Sequence, residues 1–96
     1  MAETIDDITI RQEEDGILFI EELDKHILTK GLWTTIMFRY HQYDPDKGEY
    51  GPDLFTIRRY KKVQGQFRYQ SKFNISSIKQ AKSIVETLEK WIKEAE

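Results

Sequence analysis

In 96 residues, 39% apolar and 33% charged, this chain carries a formal charge of −2 and no cysteine. That size and balance read as one globular domain with a modest core. The missing cysteines exclude disulfides, thiolate nucleophiles and cysteine-bound metals. The small total charge hides a polarity: nine acids against Arg11 and Lys25 in residues 1–25, and eight bases with no acid from Leu54 to Val85.

Residues 1–8 are polar and acidic and read as a loosely held arm, with residues 9–96 forming the single domain. The start Met-Ala-Glu-Thr-Ile-Asp-Asp lacks the basic and apolar regions of a signal peptide. Runs such as Ile17-Leu18-Phe19-Ile20 are far too short to span a membrane, so a soluble, cytoplasmic protein is expected. Asp15-Gly16 is a strong turn signal between two strand-like stretches, Ile8 to Gln12 and Ile17 to Glu22, and predicts a first hairpin. Lys30-Gly31 marks a break. Leu32 to Tyr43, rich in β-branched and aromatic residues, is the clearest strand. It ends at the turn Asp44-Pro45-Asp46-Lys47-Gly48, and Tyr50-Gly51-Pro52 prolongs the loop.

Two strands follow, Leu54 to Lys62 and Gln66 to Phe73. A two-residue turn at Gln64-Gly65 would set Lys62 opposite Phe67 and mix charged with aromatic side chains. A three-residue loop, Val63-Gln64-Gly65, instead sets Lys62 opposite Gln66, Tyr60 opposite Arg68, Arg58 opposite Gln70 and Thr56 opposite Lys72. It gives one wet and one dry face and is the expected register. Phe55, Ile57, Phe67, Tyr69 and Phe73 then fall on the dry side, with Arg59, Lys61 and Ser71 as its polar exceptions.

The C-terminal stretch is an amphipathic helix opened by a capping box at Ser77 and Gln80, with Ser76 an alternative cap. Ile78, Ala81, Val85, Leu88 and Ile92 form its apolar stripe. Ile84 and Trp91 widen that stripe on one flank, which suggests a second surface to cover. Ile84, Leu88 and Trp91 are therefore the candidate homodimer interface, packing within one chain being the alternative for Trp91. The fold class is α+β: a four- or five-stranded antiparallel sheet followed by one helix.

Catalysis is poorly supplied. His26 and His41 lack companions at ligand spacing, the N-terminal acids read as solubilising charge, and the glycines match no phosphate-binding loop. A non-enzymatic protein without cofactor, metal or small-molecule substrate is expected. The wet face of the last two strands displays Arg58, Tyr60, Lys62, Arg68 and Lys72. On the preceding strand Trp33, Arg39 and His41 lie opposite the core set Ile36, Phe38 and Tyr40, which places them beside the basic strip. Cations interleaved with aromatic rings suit nucleic acid, since phosphate attracts the charges and bases stack on rings. Arg58, Lys62, Arg68 and Lys72 are the candidate phosphate contacts and Tyr60 and Trp33 the stacking rings, with Arg39 and His41 assisting. A module docking an acidic protein is the alternative, and a merely solubilising face the blander one.

The element order resembles the PC4/Whirly-type single-stranded DNA-binding family. The likeness is carried by Gly31-Leu32-Trp33, by the strand Ile57-Arg58-Arg59-Tyr60, and by Lys72 to Ser77 leading into the helix. It covers roughly residues 17–92. It implies a curved sheet and a homodimer whose C-terminal helices pack together. It further implies binding of single-stranded DNA. The expectation taken together is a single-strand binder with little sequence preference, for DNA or RNA, in transcription, replication or repair.

Overall fold

The structure, a computed structural model, describes residues 2–96. Six strands form one curled antiparallel sheet, followed by a C-terminal helix. They are β1 (Gln12–Glu14), β2 (Ile17–Thr29), β3 (Trp33–Asp44), β4 (Glu49–Tyr50), β5 (Leu54–Val63) and β6 (Gln66–Ile75), and the helix is α1 (Ile78–Ala95). The strand order is β1-β2-β3-β5-β6, with short β4 paired to the end of β3. Adjacent strands on the main path are antiparallel, and the connection from β3 to β5 passes through β4, which pairs back onto the end of β3. No helix among the described residues is long and apolar enough to cross a membrane.

The first hairpin turns at Asp15-Gly16, both with positive φ (51° and 79°), as a two-residue turn matched to strand twist requires. Its first strand is shorter than expected. Residues 8–11 leave the ladder, and Ile8 and Ile10 bury their side chains in the core instead. β2 runs on to Thr29 through a polar stretch that carries no strand signal of its own. Its register against β3 shifts twice, leaving Leu23 and Leu28 as bulged, exposed residues.

β3 settles which face is dry. Thr34, Ile36, Phe38 and Tyr40 are buried, whereas Trp33 and Arg39 are exposed. Residues directly opposite each other share a face. Ile36 faces Arg58 and Thr34 faces Tyr60, while Trp33 faces Lys61 and Thr35 faces Arg59. Arg58 and Tyr60 therefore lie on the core side of the sheet, and Arg59 and Lys61 lie beside Trp33. This reverses the expected alignment of β3 with β5. The intervening loop fixes no parity, so the period of each strand could not reveal how the two were aligned.

The β5–β6 register also corrects the expectation. Val63 pairs with Gln66 and Lys62 with Phe67, and the turn is Gln64-Gly65, with φ of 53° and 78°. Two consecutive left-handed residues make the tight turn that a three-residue loop would have spread out. The apparent clash of charge with aromatic disappears because the Lys62 Nζ lies 5.5 Å from the Phe67 ring centroid, where the long side chain covers the ring. The ladder then shifts: Tyr60 pairs with Tyr69, but Arg59 pairs with Ser71. Gln70 is the extra residue of a β-bulge. Phe67 and Tyr69 consequently share the core side, while Phe73, paired with Ile57, lies on the opposite one.

The core sits between the sheet and the N-terminal segment. Ile8, Ile10, Ile36, Phe38, Tyr40, Tyr60 and Phe67 form its buried cluster, with Ala2, Ile5, Ile20, Ile27 and Leu54 packed against it. The segment expected to be a loose arm is thus a lid on the sheet. Lys25 Nζ donates to the carbonyl oxygens of Ile5, Asp6 and Ile8 at 3.4, 3.0 and 2.6 Å, and the Phe67 amide donates to the Ala2 carbonyl at 2.8 Å.

The helix starts as read. Ser77 accepts from the Gln80 amide at 3.0 Å, and the Gln80 side-chain oxygen accepts from the amide and hydroxyl of Ser76. None of its residues is buried, and Ile78, Val85, Leu88, Trp91 and Ile92 all stay about half exposed or more.

Candidate nucleic-acid interface

The β5–β6 hairpin carries cations on both of its faces because its ladder places like charges side by side. On the open face Lys61 is the direct partner of Arg68; on the core face Arg58 is the direct partner of Lys72. Like charges in directly opposed positions destabilise a sheet. Among the described residues, the ion pairs are Arg11–Glu13, Arg39–Asp53 and His41–Glu21, so none of the bases from Arg58 to Lys82 has a carboxylate partner. The repulsion is left to solvent and salt, or to a bound anion.

Aromatic rings lie among these charges. Trp33, 42% exposed, has the Arg59 guanidinium 4.5 Å from its ring centroid and the Lys61 ammonium at 5.3 Å. Arg58 lies 5.8 Å from the Tyr69 ring on the other face, and its Nε is enclosed without a hydrogen-bond partner. Tyr60 is 6% exposed with its ring edge-on to Tyr69, whereas Tyr69 is 52% exposed. Tyr69 therefore offers the accessible ring that sequence reasoning assigned to Tyr60. Burial pushes the Tyr60 phenol above its ordinary value of 10.0, with the neighbouring Arg58 charge acting in the opposite sense.

The eight residues singled out from sequence are divided by the sheet. Trp33, Arg39, His41 and Arg68 belong to the open face; Arg58, Tyr60, Lys62 and Lys72 belong to the core face. Trp33 and Arg68 come together with Arg59 and Lys61, which the expected register had hidden on the dry side. Arg39 and His41 are engaged farther along β3. Arg39 holds Asp53 at 2.8 Å, and His41 meets Glu21 at 2.8 Å while stacking on Tyr50 with centroids 4.0 Å apart. The Tyr50 hydroxyl donates to the Leu18 carbonyl, so this cluster ties β4 to the rest of the sheet. Among the described residues, no group of three or more His, Asp and Glu side chains is placed to hold a metal ion. Comparison with protein families, with curated proteins and with solved structures finds no match.

Proposed function

We propose that this protein binds single-stranded nucleic acid without catalysis, through the β5–β6 hairpin and the Trp33 edge of β3. The observation that carries the reading is the pair of unneutralised cation–cation partners, Lys61 with Arg68 and Arg58 with Lys72. An arrangement that costs the folded sheet stability is repaid by a polyanion. Arg59, Lys61 and Arg68 contact phosphates on the open face while a base stacks on Trp33; Arg58, Lys62 and Lys72, with Tyr69, supply the same chemistry on the other. Arg39 and His41 are held by Asp53 and Glu21, and so assist only by shaping the far end. The curled sheet with its trailing helix agrees with what the PC4/Whirly-type resemblance implies, and DNA-linked work in transcription, replication or repair belongs to this proposal.

The unit that binds is proposed to be a homodimer. Ile78, Ala81, Val85, Leu88, Ile92 and Ala95 alternate at three- and four-residue spacing, the seam of a coiled coil, yet none is buried. Two such helices running antiparallel set each Ile opposite an Ala and Val85 opposite Leu88. Lys82 of each helix then faces the partner's acidic flank, and Ile84 and Trp91 line the other flank. A second reading, docking of an acidic protein, is favoured by Phe73, which lies 53% exposed on the face of the basic cluster. Anisotropy titrations with labelled single-stranded and duplex oligonucleotides test the choice. Tighter single-strand binding that strengthens with length up to a site size supports the proposal, and indifference to both ligands overturns it.

A further inference from the structure

The N-terminal segment lies across one of the two cationic faces, and it is acidic. Residues 2–10 hold Glu3, Asp6 and Asp7 and no base. All three carboxylates are exposed, while Ile8 and Ile10 anchor the chain in the core. The segment's start is fastened to the hairpin itself by the bridge between Ala2 and Phe67. It covers Tyr60 and Phe67 but leaves the Tyr69 ring half exposed. An open cleft of about 550 Å³ separates Glu3 and Asp7 from Tyr60, Phe67 and Tyr69, and another of about 380 Å³ lies between the stretch Glu3 to Asp6 and Lys62 with Phe67. The acids form no ion pair with the hairpin bases, so they lower the field of the face without neutralising any one charge.

We infer that the core face of the β5–β6 hairpin is a second strand-binding surface, masked by the acidic segment that overlies it. The occupant is a nucleic-acid strand that enters between the segment and Tyr69, with Lys62 and Lys72 on its phosphates. This rests on the single-strand reading above. The open face, with Trp33, Arg59, Lys61 and Arg68, carries no such cover, so the two faces differ in availability rather than in chemistry. Repulsion between Glu3, Asp6, Asp7 and phosphate is long-ranged and exposed, and therefore fades as salt approaches molar concentration.

The test neutralises the segment without removing it, in the full chain. Glu3→Gln/Asp6→Asn/Asp7→Asn should bind a single-stranded oligothymidine at least about threefold tighter at low ionic strength, the difference vanishing in high salt. Because Asp7 also accepts the Thr4 hydroxyl at 2.8 Å, Glu3→Gln/Asp6→Asn is the second variant, which leaves that turn intact. Lys62→Ala/Lys72→Ala should cost more affinity in the neutralised chain than in the parent. Glu13→Gln/Glu14→Gln/Asp15→Asn, an equal charge change at the first hairpin, should give a smaller gain. An unchanged affinity, or a gain that survives loss of Lys62 and Lys72, overturns the masked face while leaving the Trp33 surface standing. If neither the parent nor the neutralised chain binds any strand, both readings fall.

Discussion

Lys61 stands directly across from Arg68, on the open side of the hairpin, with no carboxylate between them. Arg68→Glu turns this repulsion into an opposite-charge pair. Cross-strand pairs of this kind differ by roughly 0.2–1 kcal/mol, so the variant should melt slightly higher than the parent. Its affinity for single strands should fall at the same time. A variant both more stable and less able to bind identifies the charge as kept for a ligand; parallel losses of both would assign it a structural role.

Trp33 and its flanking cations separate stacking from charge. Trp33→Ala removes a ring whose stacking is worth about 1–3 kcal/mol per base, with the slope of log K against log salt unchanged. Arg59→Ala/Lys61→Ala should instead make that slope shallower by about 0.7 for each phosphate left without its cation. Salt titrations of both variants provide the comparison, and identical slopes throughout would remove phosphate binding from this face.

Assembly is read from the exposed helix. Light scattering at micromolar concentration should return twice the chain mass, and Leu88→Asp, in the middle of the seam, should return a single chain that keeps its strand content by circular dichroism. A parent that stays monomeric at millimolar concentration contradicts the helix pairing.

Tyr60 links pH to stability. Burial raises its phenol above 10.0, so the folded state favours the neutral ring. The stabilisation is complete below the ordinary phenol value and is lost as pH climbs through the raised one. Melting temperature should therefore fall more steeply above about pH 10 in the parent than in Tyr60→Phe. Equal slopes would mean that Tyr60 ionises without resistance.

The Gln64-Gly65 turn needs left-handed backbone at both positions. Gly65→Val should cost about 1–2 kcal/mol, because a β-branched residue resists positive φ. Gln64→Asn should raise stability slightly, since Asn accepts that conformation more readily. Denaturant midpoints of the two variants should move in opposite directions.

Much of the architecture was legible in local pattern. The Asp15-Gly16 turn, the strand read at Leu32 to Tyr43 and found at Trp33–Asp44, the basic hairpin and the Ser77 cap all follow from residue type and spacing. What escaped was relative placement. The loop after Asp44 sets no parity, so it hid the fact that Arg59 and Lys61, not Arg58 and Tyr60, keep company with Trp33. A hydrophobic period cannot reveal a bulge at Gln70, and that one residue decides that Tyr69 and Phe73 look in opposite directions. The mixed polarity of Leu23 to His26 concealed the second half of β2, whose pairing comes from β3. The acidic start looked unattached because its anchors, Lys25 and Phe67, are distant in sequence.

The extra residue at Gln70 makes β6 a two-sided ribbon. Before it Phe67 and Tyr69 turn toward the lid, and after it Phe73 and Ile75 turn away, so one strand serves both surfaces of a single-layer protein. Removing Gln70 would slide every later side chain by one place and send Phe73 to the interior side while Lys72 and Asn74 changed sides with it. The division of labour between the two surfaces is therefore held by a reading-frame-like counter within the strand. Insertions or deletions of a single residue there would reassign which charges lie on which face while leaving the turn and the helix cap as they are.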